Sequence, residues 1–242
     1  MIVIPMAGFS RRFTEAGYAL PKYMLPLGGG TVFGHAVSSF SALFADTPFL
    51  FVARNVADTE AFIKRECAAL GIKDARVVIL DEPTAGQAET VELGLDRVGA
   101  GDNEPTTIFN IDTFRPGFRF PDALWFTKSS GYLEVFQGGG TNWSYVGKVE
   151  GSEEPLVART TEKQPISDLC CDGLYHFARA GDFRAALQEE RKQPSSPELY
   201  VAPLYNHLIT TGRRIHYDVV PMQAITFCGV PAEYEAALAA LS

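Results

Sequence analysis

Residues 1–29 read MIVIPMAGFSRRFTEAGYALPKYMLPLGG and carry the strongest signal in the chain. The apolar run 2–4 predicts a buried strand, and Gly8 follows it closely. A small residue after a strand lets the backbone turn tightly, so that amide N–H groups point into the turn. Arg12 adds a planar fork of donors, and Lys22 adds a compact point charge. Together these features predict an anion site that suits a chain of phosphates.

The loop itself reads Ala7-Gly8-Phe9-Ser10-Arg11-Arg12, and Pro21-Lys22 follow it so that the lysine stands ten residues after Arg12. This pattern resembles the signature A-G-x-G-x-R, then P-K, of the nucleotidyltransferases that make NDP-sugars. Ser10 departs from it, because many members of the family have a second glycine there. The resemblance implies that Ala7, Gly8, Ser10 and Arg12 bind the nucleotide and that Arg12 and Lys22 are catalytic.

Composition and charge argue against several classes of protein. The chain has 242 residues, 46% of them apolar, and a net charge of −8, which argues against non-specific binding of nucleic acid. Its four cysteines form no C-x-x-C pair, so we expect reduced thiols and no zinc framework. The sequence shows neither a secretory signal nor an apolar run of the ~20 residues that span a bilayer. We therefore expect a cytoplasmic protein without membrane insertion; its oligomeric state stays open.

Strand and helix alternate through the first half of the chain. Apolar runs predict strands at 48–53, 76–80 and 107–111, and helical spacing predicts helices at 31–45, 58–70 and 86–98. Four such alternations are typical of a parallel sheet with helices on both faces. Ligands of these sheets bind at the carboxyl ends of the strands, where the loop 8–12, residues 86–87 and Asp112 are expected to gather.

The second half has a different pattern. Strands are predicted at 131–136, 144–149, 172–177 and 215–220, and helices at 199–211 and 231–241. This spacing favours an antiparallel or mixed arrangement. The resemblance implies a GT-A-like α/β fold, with a central mixed, mostly parallel sheet flanked by helices. We expect one domain, 1–242, with a nucleotide-binding half at 1–115 and an acceptor-binding half at 116–242.

Two further matches bear on the nucleotide. Asp112 ends the fourth predicted strand, where the family has an aspartate that holds Mg²⁺. A hard cation needs only one or two carboxylates when nucleotide phosphates and water complete its shell. Gly86-Gln87 stand where the family has G-x-A or G-Q-A, a turn that meets the nucleobase; Gln87 offers both a donor and an acceptor.

A third group of residues resembles the acceptor site of the family. Glu162-Lys163 and, further on, Gly173 match the family's E-K-P and G-x-Y-x-F motifs, although Gln164 precedes the proline here. In the family the lysine meets the phosphate and the glutamate meets sugar hydroxyls. Asn142 and Trp143 precede this group, and the tryptophan could stack on a sugar or pack in the core.

The last match contains a departure. The family reads D-x-G-T-P-x-D/E-Y near its C-terminus, and the first aspartate is a metal ligand. This chain has Phe227 at that position, and a phenylalanine cannot bind a hard cation. Either Asp112 holds the metal with phosphates and water, or another carboxylate contributes, with Asp172 and Asp218 as candidates, or the site binds nucleotides without turnover.

The resemblance as a whole implies a Mg²⁺-dependent transfer of NMP from an NTP to a sugar 1-phosphate, which yields an NDP-sugar and pyrophosphate. Such products feed capsule and other surface polysaccharides. Two alternatives remain at this point. One is a cytidylyltransferase that acts on a phosphorylated non-sugar acceptor, and the other is a non-catalytic nucleotide-binding protein.

Overall fold

The computed structural model describes residues 1–241. Its strands are β1 (Ile2–Met6), β2 (Pro26–Leu27), β3 (Gly30–Thr31), β4 (Phe49–Arg54), β5 (Ala75–Leu80), β6 (Thr106–Phe109), β7 (Thr113–Phe114), β8 (Gly131–Gln137), β9 (Ser144–Lys148), β10 (Val157–Glu162), β11 (Leu169–Phe177), β12 (Ile215–Val219) and β13 (Thr226–Phe227). Its α-helices are α1 (Arg11–Glu15), α2 (Val32–Ser38), α3 (Thr59–Leu70), α4 (Gln87–Arg97), α5 (Ala180–Lys192), α6 (Leu204–Thr210) and α7 (Pro231–Ala240). These elements confirm the predicted α/β class with a mixed sheet and flanking helices.

The chain forms two compact units. The first unit contains Ile2–Pro83, Phe109–Arg119 and the segment that begins at Gln223. The second unit contains Met1, Thr84–Ile108 and Phe120–Met222. Each unit therefore draws on distant parts of the sequence.

Parallel strands organise the first unit. β1 pairs with β4 in the register Ile2↔Phe49 to Met6↔Ala53, and β4 pairs with β5 in parallel. The side chains of Val3 and Ile4 are fully buried, as expected for strands that are covered on both faces. Helix α3 buries Phe62, Ile63 and Cys67 and ends at Gly71, whose left-handed φ of 77° is the C-cap conformation that glycine adopts most easily.

Helix α2 begins as predicted but is shorter. The Thr31 hydroxyl accepts a hydrogen bond from the Gly34 N–H at 3.0 Å and so caps the first turn. The predicted helix over 31–45 ends at Ser38, and a short 3₁₀ turn, Ser41–Leu43, follows it. Helix α2 buries Val32, Phe33, Ala36 and Val37, whereas the 3₁₀ turn buries none of its side chains.

The second unit has the mixed strand directions that the sequence predicts. β8 pairs with β11 and β9 pairs with β10, both antiparallel, while β12 joins β8 in parallel. The ladder of β11 is irregular between Cys171 and Tyr175, where Gly173 has a φ of 102°. One strand and one α-helix of this unit lie outside the predicted set, namely β10 and α5.

One predicted helix begins later than expected. The spacing predicts a helix over 199–211, but α6 starts at Leu204. The backbone of Leu199 is already engaged elsewhere: its N–H donates to the Ala85 carbonyl at 3.0 Å, and its carbonyl accepts from the Ala88 N–H at 2.9 Å. Since these groups are held by tertiary bonds, the helix cannot include them.

Cys67, Cys170, Cys171 and Cys228 are all free thiols, and all are buried. Within residues 1–241, no helix is long and apolar enough to cross a bilayer.

Candidate active site

A cleft of about 230 Å³ opens in the first unit at the end of β1. It is lined by Ser10, Arg11, Arg12, Phe13, Lys22 and Gly229. The fold therefore brings together the two basic residues that the sequence assigns to phosphates. They lie 10 residues apart in the chain, and both border the same small volume.

Ser10 makes the turn that its position requires. Its backbone is left-handed, with φ 52° and ψ 32°, a conformation that glycine adopts without strain and serine at a cost of about 1 kcal/mol. The Ser10 carbonyl accepts hydrogen bonds from the N–H groups of Phe13 at 2.9 Å and Thr14 at 3.1 Å, which starts α1. The departure from glycine at this position thus leaves the loop geometry in place.

Gly8 is not explained by internal packing. A Cβ built on it would meet no atom within 4 Å. The neighbouring Ala7 is buried, and its carbonyl accepts a hydrogen bond from Nε of Arg54 at 2.8 Å. The loop is therefore anchored at Ala7 and open at Gly8, which suits the close approach of a ligand to the backbone.

Lys22 and Asp112 form an ion pair at this cleft. The ammonium of Lys22 donates to Oδ2 of Asp112, and the two side chains are 22% and 19% exposed. The two residues are 90 positions apart in the sequence. Asp112 follows β6, and Lys22 is the first residue of a 3₁₀ turn, Lys22–Met24. The predicted metal ligand and the predicted catalytic lysine are thus direct neighbours.

Gly229 lies close to the carboxylate of Asp112, where there is little room for a side chain. A Cβ at Gly229 would lie 3.0 Å from Oδ2 of Asp112, so that a larger residue would crowd the carboxylate. The Cys228 N–H donates to the Asp112 carbonyl at 2.7 Å. Burial, together with the charges of Asp112 and Glu233, raises the pKa of Cys228 to about 12, which keeps the thiol neutral.

The carboxylate of Glu233 accepts hydrogen bonds from backbone N–H groups. Its Oε2 accepts from the N–H groups of Gly229 at 2.8 Å and Val230 at 3.2 Å, which caps the start of α7. Phe227, which stands where the family has a metal-binding aspartate, lies in β13 opposite Thr113. Among residues 1–241, no three His, Cys, Asp or Glu side chains are grouped so that they could hold a metal ion.

In the second unit, Gly86 fits closely against the loop that precedes α6. A Cβ at Gly86 would lie 2.5 Å from the backbone nitrogen of Leu199, a contact that real Cβ atoms do not make. Gln87 is the first residue of α4, and the Thr90 hydroxyl donates to the Gly86 carbonyl at 3.1 Å. This packing fixes the turn that is predicted to meet the nucleobase.

Glu162 and Lys163 lie at the end of β10. Glu162 accepts a hydrogen bond from the Ser144 hydroxyl, and burial raises the pKa of its carboxyl group. Lys163 has a left-handed φ of 55°, and its N–H donates to the Trp143 carbonyl at 2.9 Å. Trp143, Glu162 and Lys163 are therefore neighbours in the second unit, and their role in acceptor binding stays a prediction.

Tyr200 holds the side chain of Lys163. The ammonium donates to the Tyr200 hydroxyl at 2.6 Å and lies 4.6 Å from the centre of its ring, with Glu162 at 3.8 Å. Burial lowers the pKa of Lys163, but the Tyr200 hydroxyl and the negative charges nearby outweigh it and leave the pKa raised. Lys163 is thus a fixed cation.

The other candidates of the second unit are less closely grouped. Asn142 is exposed in the loop before β9, and Gly173 lies within the irregular part of β11. Asp172 is buried and accepts from the Leu174 N–H at 3.0 Å, while Asp218 lies on β12 opposite Glu134. Neither aspartate belongs to the unit that contains Asp112.

Comparison with solved structures identifies the family. A nucleoside-diphosphate-sugar pyrophosphorylase from Vibrio cholerae RC9 is 52% identical, with a TM-score of 0.93 over 99% of this chain and 100% of that one. This chain belongs to the family of sugar-phosphate nucleotidyltransferases. No protein-family model matches it, and no curated protein is significantly similar.

More distant structures share the nucleotidyltransferase fold. A putative glucose-1-phosphate thymidylyltransferase from Bacillus anthracis is 18% identical, with a TM-score of 0.75 over 99% of this chain and 94% of that one. The inositol-1-phosphate CTP transferase from T. maritima is 13% identical, with a TM-score of 0.76 over 99% of this chain and 95% of that one.

Sequence reasoning missed two residues of this nucleotidyltransferase that support the predicted ones. Arg54 ends β4 and anchors the loop at Ala7, and Tyr200 precedes α6 and holds Lys163. Neither lies in a motif. An arginine directly after a buried strand was the only available signal for Arg54.

Proposed function

We propose that the protein transfers NMP from an NTP to a sugar 1-phosphate in a Mg²⁺-dependent reaction that yields an NDP-sugar and pyrophosphate. The observation that carries the proposal is the cleft lined by Arg12 and Lys22, together with the ion pair that joins Lys22 to Asp112. Family membership at 52% identity supports the same reaction class.

The reaction needs positioning more than it needs a base. A phosphate oxygen of the acceptor attacks the α-phosphorus, and the bond from that phosphorus to the β-bridging oxygen breaks, so that pyrophosphate leaves with the electron pair. The acceptor oxygen is already anionic, and the barrier comes from bringing two anions together and from the charge at the α-phosphate. Cations placed beforehand lower that barrier.

We assign the roles by position. Arg12 and the amides of the loop 8–12 bind the triphosphate, and Lys22 lies between the α-phosphate and the acceptor phosphate. In the second unit, Gly86 and Gln87 contact the base. Lys163 binds the acceptor phosphate and Glu162 its hydroxyl groups.

The residues at Asp112 fit a metal ion that is shared with the nucleotide. One accessible carboxylate is available, Glu233 is committed to backbone N–H groups, and Phe227 offers no oxygen. Mg²⁺ is commonly held by one or two carboxylates together with substrate phosphates and water. Asp112 would hold the cation, which would neutralise phosphate charge.

The test is a panel of four NTPs against sugar 1-phosphates, inositol 1-phosphate and choline phosphate, with pyrophosphate release measured with and without Mg²⁺. Release with a sugar 1-phosphate supports the proposal. Release only with a non-sugar acceptor would support the alternative acceptor class, with which the T. maritima structure is compatible. Nucleotide binding without any release would support a non-catalytic protein.

Two variants test the residue assignments. Lys22→Ala and Asp112→Ala should each lower turnover by about 10²–10³-fold, the usual loss when one stabilising group is removed. Lys64→Ala is the matched control, because Lys64 forms an exposed ion pair with Glu60 at 2.6 Å in the same unit. Fully active, folded variants at Lys22 and Asp112 would refute the assignment.

We further place the reaction in the cytoplasm, where NTPs are available, and its product in the synthesis of capsule or other surface polysaccharides. The support for this role is family membership. Deletion of the gene should then reduce surface polysaccharide, and an unchanged polysaccharide profile would contradict it.

A further inference from the structure

Arg54 extends the contact between two parallel strands beyond the point where their backbones stop pairing. The ladder of β1 and β4 ends at Met6↔Ala53, and the next residues are Ala7 and Arg54. Instead of a backbone group, the Nε of Arg54 donates to the Ala7 carbonyl at 2.8 Å. A side chain thus holds the first residue of the phosphate-binding loop, 7–12.

The same guanidinium covers the ring of Phe9. Its central carbon lies 4.1 Å from the ring centre, and that of Arg11 lies 5.0 Å from it. Phe9 is 46% exposed, so the ring is not held by a hydrophobic core. A planar guanidinium can stack flat on an aromatic face while its in-plane N–H groups stay free for hydrogen bonds, whereas a lysine ammonium is a compact point charge that cannot stack flat.

We infer that Arg54 is a positioning residue for nucleotide binding: it holds Ala7 and Phe9, and through them orients the loop amides and Arg12 toward the triphosphate. This inference rests on the proposed function, in which the loop binds the NTP. Arg54 acts through the loop and is not assigned a contact with the reacting atoms. Because the triphosphate is common to all NTPs, the effect does not depend on the base.

The main test replaces the planar guanidinium and keeps the charge. In Arg54→Lys we expect amide hydrogen exchange over residues 7–13 of the ligand-free protein to become at least several-fold faster. Titration calorimetry with each NTP and Mg²⁺ should show about tenfold weaker binding, equivalent to ~1.4 kcal/mol. The KM for the acceptor should stay unchanged.

The matched control is Arg65→Lys. The guanidinium of Arg65 lies 5.3 Å from the centre of the Phe62 ring in the same unit, but Arg65 belongs to α3 and its ion pair is with Glu66 of that helix. Its replacement should change neither the exchange of residues 7–13 nor NTP affinity. Loss of binding in both arginine variants would show a general effect of charge or stability and would overturn the inference.

Phe9 supplies an independent variant that keeps the test decisive if Arg54→Lys folds poorly. Its ring is exposed, so Phe9→Leu should fold normally and show the same faster exchange and weaker NTP binding, while Phe9→Trp should retain both properties. The effects of Phe9→Leu and Arg54→Lys should not add in the double variant, because they remove one contact. Additive effects, or wild-type exchange and affinity in Phe9→Leu, would refute the inference.

The two proposals fail in distinguishable ways. A wild-type protein that releases no pyrophosphate with any acceptor would refute the proposed function. The hydrogen-exchange comparison needs no ligand, so it would still decide whether Arg54 holds the loop. Normal activity with unchanged exchange in Arg54→Lys would leave the proposed function intact and overturn the role of Arg54.

Discussion

His176 should make the folded protein sensitive to acid. The residue lies in β11, is 7% exposed and shares a hydrogen bond of 2.9 Å between its Nδ1 and the Thr107 hydroxyl. The rings of Phe120, Phe126 and Tyr132 surround it at centre distances of 5.4–5.6 Å. Burial lowers its pKa from 6.5 to about 4, because the apolar surroundings disfavour the imidazolium.

The sign and size of the effect follow from proton linkage. As the pH falls below 6.5, His176 of the unfolded chain binds a proton, whereas the folded protein binds it only near pH 4. The unfolded state is therefore favoured as pH falls from 6.5 to about 4, where the loss reaches about 3 kcal/mol. At pH 5 the loss from this residue is already ~2 kcal/mol, a large share of a typical folding free energy of ~5–15 kcal/mol.

The assay is urea unfolding at pH 7.5 and pH 5.0, which gives the free energy of unfolding at each pH. His176→Asn, whose amide can replace the bond to Thr107, should lose ~2 kcal/mol less than the wild type between these two values. Thr107→Val is the control, because it removes the hydrogen bond and keeps the imidazole. An equal loss in wild type and His176→Asn would refute the reasoning, since carboxylates alone would then explain the acid sensitivity.

Three further predictions concern the site. Gly86→Ala should destabilise the protein by ~1–3 kcal/mol in thermal unfolding through its backbone clash, whereas Gly8→Ala, which meets open space, should unfold like the wild type; equal effects would contradict the packing argument. Tyr200→Phe removes the hydroxyl that holds Lys163 and should raise the acceptor KM by about two- to tenfold without changing the NTP KM. Phe227→Asp adds a carboxylate beside the proposed metal site and should lower the Mg²⁺ concentration for half-maximal turnover; an unchanged requirement would place the metal elsewhere.

Local pattern was sufficient for much of the fold. The strand β4 and the helix α3 were predicted to within one residue, because uninterrupted apolar runs and a C-terminal glycine report local preferences. The start of α6 was wrong because tertiary hydrogen bonds of Leu199 decide it. Periodicity within the helix contains no information about those bonds.

The residues of the candidate site also fall into two groups: those that a local motif predicts and those that only the folded structure reveals. Arg12 and Lys22 were found through their spacing in one motif, and the structure places both at one cleft. Arg54 and Tyr200 act across 47 and 37 residues of sequence, respectively, on Ala7 and Lys163. Since no local pattern records such distances, one sequence without a fold could not have assigned them.

The Lys22–Asp112 pair has a consequence for the order of binding in the proposed reaction. In the ligand-free protein each charge satisfies the other, which avoids the cost of two unpaired charges that are only about one-fifth exposed. Lys22 can meet a phosphate fully only when its contact with Asp112 is relaxed, and Asp112 can hold a cation only when Lys22 yields the same oxygen. We therefore expect Mg²⁺ and NTP to bind together rather than separately. In Lys22→Met, which keeps the length of the side chain and removes its charge, Mg²⁺ should bind more tightly in the absence of NTP. If calorimetry shows equal Mg²⁺ affinity in wild type and Lys22→Met, Lys22 does not compete with the cation for Asp112.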